Sequence, residues 1–154
     1  MIDNQTIEQL RSLRLDGMVR ARRDRAGMLD RAFRDMPGLV VTSPPKDSYH
    51  AYYKYHVRTD LEATKPGWTR DAILRELSSR GIPCGVGACP EIYREKAFQL
   101  YRKKLSCPSQ ERLPVAKRWG EVALVFQVHP TLTKESMEYV IDSMRTVLKN
   151  GYRK

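Results

Sequence analysis

Between Glu121 and His129 the chain reads Val-Ala-Leu-Val-Phe-Gln-Val, so that both faces of an extended strand would be apolar. A strand of this kind is stable only when it is covered on both sides or nearly so, and it predicts a central strand over Val122 to Val128. His129 and Pro130 end it. A central strand needs other strands beside it and helices packed on it, and the flanking sequence supplies both.

The clearest helix follows directly. Thr133 is placed to cap it, Glu135 falls in its first turn and Lys149 in its last, each favourable to the helix dipole. Met137, Val140, Ile141, Met144, Val147 and Leu148 form its buried stripe. A second helical pattern runs from Ile7 to about Asp35, with Leu15, Met18, Val19, Arg22, Ala26, Leu29 and Phe33 on one stripe. Gly17 marks a bend or a break in it, and Pro37-Gly38 stop it before a short strand at Leu39 to Val41.

From His50 to Arg58 the alternation predicts a strand, with Ala51, Tyr53, Tyr55 and Val57 on one face and Tyr52, Lys54, His56 and Arg58 on the other. Thr69 then caps a helix whose apolar face is Ala72, Ile73 and Leu77 and which ends near Gly81. An extended piece at Ile82 to Gly87, a helix across Glu95 to Leu100, a loop at Cys107 to Arg112 and a short helix at Pro114 to Trp119 complete the order. The fold class is α+β: a small, mainly antiparallel sheet packed against helices, with a long N-terminal helix.

At 154 residues the chain has the size of one domain with one core. Its longest apolar run, Val122 to Phe126, is too short to span a bilayer, and no signal peptide opens the sequence, so a cytoplasmic protein without membrane attachment is expected. Cys84, Cys89 and Cys107 cannot all pair and lack the spacing of a zinc site, which predicts reduced thiols and no bound metal. The net charge of +10 admits a nucleic-acid or polyanion binder. Against that reading, Asp16, Asp24 and Asp30 interleave with the basic residues of Arg20 to Arg25, and no nucleic-acid motif accompanies them.

Few residues look catalytic. His50, His56 and His129 could each act as a base, yet none lies in a recognisable catalytic set, and His129 before Pro130 reads as a structural strand end. Gly81, Gly85 and Gly87 lack the Lys-Ser/Thr of a phosphate-binding loop and are read as turn residues.

Taken in order, several segments resemble the C-terminal part of the DegT/StrS family of PLP-dependent aminotransferases, which act on nucleotide-linked keto sugars. They are Gln9-Leu10 and Leu13 leading into Arg22-Arg23 and Ala26, Pro37-Gly38-Leu39, His50-Ala51-Tyr52-Tyr53-Lys54-Tyr55 and Gly81-Ile82-Pro83. Further along come Gly87-Ala88-Cys89-Pro90-Glu91-Ile92-Tyr93, Leu113-Pro114-Val115-Ala116, Gly120-Glu121 and His129-Pro130-Thr131-Leu132-Thr133.

The resemblance implies the small domain of fold-type I PLP enzymes, lacking the catalytic large domain. Residues 1–36 would be the linker helix of the parent fold and 37–154 the α+β body, together one domain. It further implies that His50, Tyr52, Cys89, Glu91 and Tyr93 lie near the substrate. No catalytic residue and no cofactor are expected for this chain alone, because the Schiff-base lysine and the pyridinium partner of PLP belong to the large domain. Two functions follow: a detached domain acting by association, as a homo-oligomer or with a separate large-domain protein, or a subunit or fragment of a working sugar aminotransferase.

Overall fold

The structure, a computed structural model, describes residues 3–12, 15–87, 90–101 and 113–152. The helices are α1 (Asn4–Ser12), α2 (Leu15–Arg34), α3 (Arg70–Ser79), α4 (Lys96–Tyr101), α5 (Pro114–Val122) and α6 (Lys134–Gly151). The strands are β1 (Leu39–Val41), β2 (Tyr55–Thr59), β3 (Cys84–Gly85) and β4 (Ala123–Phe126). They form one antiparallel sheet in the order β1-β2-β4-β3.

Of the apolar run at 122–128, Ala123–Phe126 form the inner strand β4, which ends two residues before the expected Val128, and its burial explains the run's apolar character. Leu124, Val125 and Phe126 are consecutive and all buried, so both faces of β4 are covered. On one face the cover is α2, α3 and α6, which meet the sheet around Phe33, Tyr55, Val57, Ile73, Leu77, Phe126, Met137 and Met144. Phe33 sets its ring edge-on to Phe126 at 5.4 Å and to Tyr55 at 6.0 Å between centroids. On the other face α5 packs over β2, with the Arg58 guanidinium 4.8 Å from the centroid of the Trp119 ring.

The predicted caps form. Thr133 Oγ1 accepts the Ser136 N–H at 3.2 Å and Thr69 Oγ1 accepts the Ala72 N–H at 3.2 Å. Arg25 donates to the carbonyl oxygens of Leu132 at 2.7 Å and Pro130 at 2.9 Å, tying α2 to the loop that enters α6. After α6, Tyr152 reaches back over Gly38 and donates from its hydroxyl to the Asp60 carbonyl at 3.4 Å.

Four details differ from the sequence expectations. Gly17 lies inside α2, and the separation between α1 and α2 comes before Leu15. The apolar stripe of α2 is buried only from Ala26 onward; Leu15 and Met18 are exposed, because the first half of the helix extends beyond the sheet. Helix α5 runs on to Val122, three residues past Trp119, and delays the start of β4. The strand expected from His50 begins only at Tyr55, because Tyr52 has φ 47°, a left-handed conformation that interrupts extended backbone. Ala51 and Tyr53, expected on one face with Tyr55, are exposed while Tyr55 is buried. The expected loop at Cys107 to Arg112 lies outside the described residues.

Candidate functional site

The segment before β2 is fixed by four contacts. Arg23 Nη1 donates to the His50 carbonyl at 2.9 Å, and the Tyr52 N–H donates to His50 Nδ1 at 3.2 Å. The His50 and Tyr52 rings meet edge to face at 4.5 Å, and Tyr52 stacks near-parallel to Tyr55 at 6.4 Å. Tyr55, anchored in the core, donates from its hydroxyl to Asp30 Oδ1 at 2.8 Å. A bulky residue at positive φ costs on the order of 1–3 kcal/mol, and it persists where surrounding contacts determine it. Strain of this kind is a mark of ligand-facing segments.

A cavity of about 280 Å³ opens here, lined by Thr42, Ser43, Pro44 and Pro45 on one side and by His50, Tyr52, Lys54, Tyr55 and His56 on the other. Burial, reinforced by the Asp30 carboxylate and partly offset by Arg23, raises the Tyr52 phenol above its ordinary pKa. Burial also raises Tyr55, with its hydrogen bond to Asp30 next in effect. Both phenols therefore stay protonated at neutral pH and can donate hydrogen bonds.

Of the other expected residues, Glu91 and Tyr93 lie in the segment between β3 and α4. Tyr93 donates from its hydroxyl to Glu91 Oε1 at 2.8 Å and accepts the Leu113 N–H at 3.0 Å. Glu91 Oε2 is also 3.7 Å from Arg94 Nη1. This pair braces the segment against the start of α5 through Leu113, while Pro90 packs on Gly120 in the last turn of that helix. Cys89 lies outside the described residues. His50 and Tyr52 thus touch each other, Glu91 and Tyr93 touch each other, and Gly87, just after β3, lies against His56 of β2, two strands away in the sheet.

Three participants make contacts that no motif assigns. Arg23 and Asp30 are on α2, remote in sequence from the residues they hold, and only the packing of α2 on the sheet brings them in. His56 shows its outward direction in the alternation, but its approach to Gly87 depends on strand register. His129 is paired locally, Nδ1 lying 2.8 Å from Thr131 Oγ1. Among the described residues no group of three or more His, Cys, Asp or Glu is arranged to hold a metal ion, and no helix is long and apolar enough to cross a membrane.

Cys84 sits opposite Phe126 on the core side of β3, and burial pushes its thiol up to about 12 despite backbone hydrogen bonds from Val125 and Gly85. At pH 8 its thiolate fraction is then about a thousandfold below that of an ordinary cysteine. Alkylation of Cys84 in the native chain is expected to slow by about that factor relative to the unfolded chain, read by peptide mass mapping. Equal rates in the two states would contradict its placement.

A sequence profile described as the DegT/DnrJ/EryC1/StrS aminotransferase family matches residues 6–145. The chain is similar to the spore coat polysaccharide biosynthesis protein SpsC of Bacillus subtilis (strain 168), at 25% identity over 98% of this chain and 38% of SpsC. Among solved structures it resembles an aminotransferase from Psychrobacter cryohalolentis, at 31% identity and a TM-score of 0.77, covering 92% of this chain and 37% of that one. It also resembles the aminotransferase TlmJ from Streptoalloteichus hindustanus, at 28% identity and a TM-score of 0.74, covering 94% and 36%. The chain spans little more than a third of the length of each of these relatives.

Proposed function

This chain belongs to the DegT/DnrJ/EryC1/StrS aminotransferase family, and on that premise we propose that it is the small domain of a PLP-dependent sugar aminotransferase, working by association with the part of the enzyme that holds the cofactor. The carrying observation is the mismatch of coverage: nearly the whole chain aligns with relatives of which it spans little more than a third. Residues 1–36 are then a linker helix segment and 37–154 the α+β body, folding as one unit, since Ala26, Leu29 and Phe33 share a core with the sheet.

The donors of the cavity do not fit PLP. Its lining has one amine, Lys54, whose Nζ lies 5.5 Å from the exposed Tyr53 ring, and it has no carboxylate to face a pyridine nitrogen. Asp30 is engaged by Tyr55. What the lining does fit is a polyhydroxylated ligand: aromatic faces from Tyr52, hydroxyls from Thr42 and Ser43, and imidazoles from His50 and His56. His50 and Tyr52 would form one side of the sugar site, with Cys89, Glu91 and Tyr93 bringing in the loop from the other.

The partner is a large domain, carried on the same polypeptide or on a separate one, and the assembly is a homo-oligomer in a cytoplasmic setting. Binding to nucleic acid is not favoured, because Arg23 and Arg25 in the most basic stretch are spent on the carbonyls of His50, Pro130 and Leu132.

The test joins the chain to the large domain of a family relative, in place of that relative's own C-terminal part, and measures amino transfer to a nucleotide-linked keto sugar. Activity is expected, with His50→Ala lowering kcat/KM about tenfold, the scale of one hydrogen bond with its packing. A well-folded hybrid without activity, or one indifferent to His50→Ala and Tyr52→Ala, would count against the reading.

A further inference from the structure

Strand pleating sends Tyr55, Val57 and Thr59 of β2 into the core and leaves His56 and Arg58 on the opposite face. The two outward residues have different cover. Arg58 is stacked on Trp119 of α5. His56 lies instead against the backbone of Gly87, which has φ +82° and where a Cβ would stand 3.6 Å from the imidazole Nδ1. Its partners across the sheet on that face are Val125 and then Gly85, neither of which offers a polar side chain.

Each of the other two histidines spends its Nδ1 locally, His50 on the Tyr52 N–H and His129 on Thr131. Among the described residues the His56 imidazole has no hydrogen-bond partner. It is exposed, and it lines the same cavity as His50, Tyr52 and Lys54. It also stands against Gly87, where the chain leaves β3. We infer that His56 is a further substrate-contacting residue, hydrogen-bonding a hydroxyl of the sugar; the inference rests on the sugar-site reading above.

The chemistry favours a hydroxyl over a phosphate. Partial burial, then the positive charge of Lys54 and the neighbouring His50, lower the His56 pKa, so the ring is neutral at neutral pH. A neutral imidazole has one donor and one acceptor nitrogen, which matches a hydroxyl that both accepts and donates. Phosphate would instead call for fixed cations. The adjoining Tyr52 ring offers an apolar face to the C–H groups of a sugar ring.

Because the chain has only three histidines, their ring signals can be followed separately by NMR. The full-length chain is titrated with UDP-glucose as the probe, to concentrations of about 10 mM, which detects binding in the millimolar range. The His50 and His56 signals are expected to move and the His129 signal to stay. His56→Ala should weaken binding about tenfold, and His56→Gln, which keeps a donor and an acceptor, should lie between it and the parent. A moving His50 signal with a fixed His56 signal and unchanged affinity in His56→Ala overturns this inference and leaves the sugar-site reading standing. No movement of either signal overturns both.

Discussion

Phe33→Ala is expected to lower the free energy of unfolding by about 3–5 kcal/mol, the cost of truncating a fully buried aromatic side chain. Phe33 is fully buried and its ring meets both Tyr55 of β2 and Phe126 of β4, so its loss opens a cavity between α2 and the two inner strands. Little can collapse into that space, because the neighbouring rings are anchored by strand pairing. For a domain whose total stability is about 5–15 kcal/mol, the transition midpoint in urea should fall steeply with little change in slope. Leu15→Ala and Met18→Ala, on the same helical stripe, should each cost no more than about 0.5 kcal/mol in this chain, because both side chains are exposed. Equal costs at Phe33 and Leu15 would contradict the described packing of α2.

Gly38→Ala should cost about 2–4 kcal/mol, from two separable sources. Gly38 has φ +86°, which an alanine adopts only at about 1–2 kcal/mol. A Cβ at this position would also fall on the ring of Tyr152, forcing the phenol out of its place over the α2–β1 turn and away from Asp60. Measuring Gly38→Ala in a Tyr152→Ala background separates the two. There the cost should fall to the backbone strain alone, a coupling of about 1–2 kcal/mol. Additive costs would mean that Tyr152 does not cover Gly38.

Both predictions concern parts of the fold that differ in how well the sequence announces them. Phe33 is legible: it closes a stripe of three- and four-residue steps, and the both-faced apolar run of β4 calls for such a cover. The stripe alone does not say where cover ends, which is why Leu15 and Met18 look like core and are not. Gly38 is legible as a helix stop, but its closeness to Tyr152, at the far end of the chain, is a property of the closed fold. Helices α3 and α6 start on the predicted caps because an N-cap is a local hydrogen bond written in adjacent residues.

The segment before β2 was legible as leading into the sheet, but its conformation was misread. The alternation from His50 to Arg58 is a valid strand signal, yet its first half is turned out of the sheet at Tyr52 by contacts from Arg23 and Tyr55 that no local pattern encodes. His50 and Tyr52 come together as expected for residues on a strand start, though through a strained turn in place of pleating. Glu91 and Tyr93 also pair, and their bonds to each other and to Leu113 give them a bracing role in the loop beside any role toward substrate. Asp30 and His56 enter the site through packing and register.

The division of labour proposed for this chain is that it shapes a sugar-facing surface while the cofactor is held elsewhere in the enzyme. The cavity's single amine and lack of a carboxylate carry that division chemically. The most direct measurement is an absorbance titration of the purified chain with PLP, alone and then joined to a family large domain. The isolated chain is expected to give no band of lysine-bound PLP beyond that of free lysine at the same concentration, and the joined protein to give one. A saturable band from the isolated chain, lost on Lys54→Ala, would contradict the assignment.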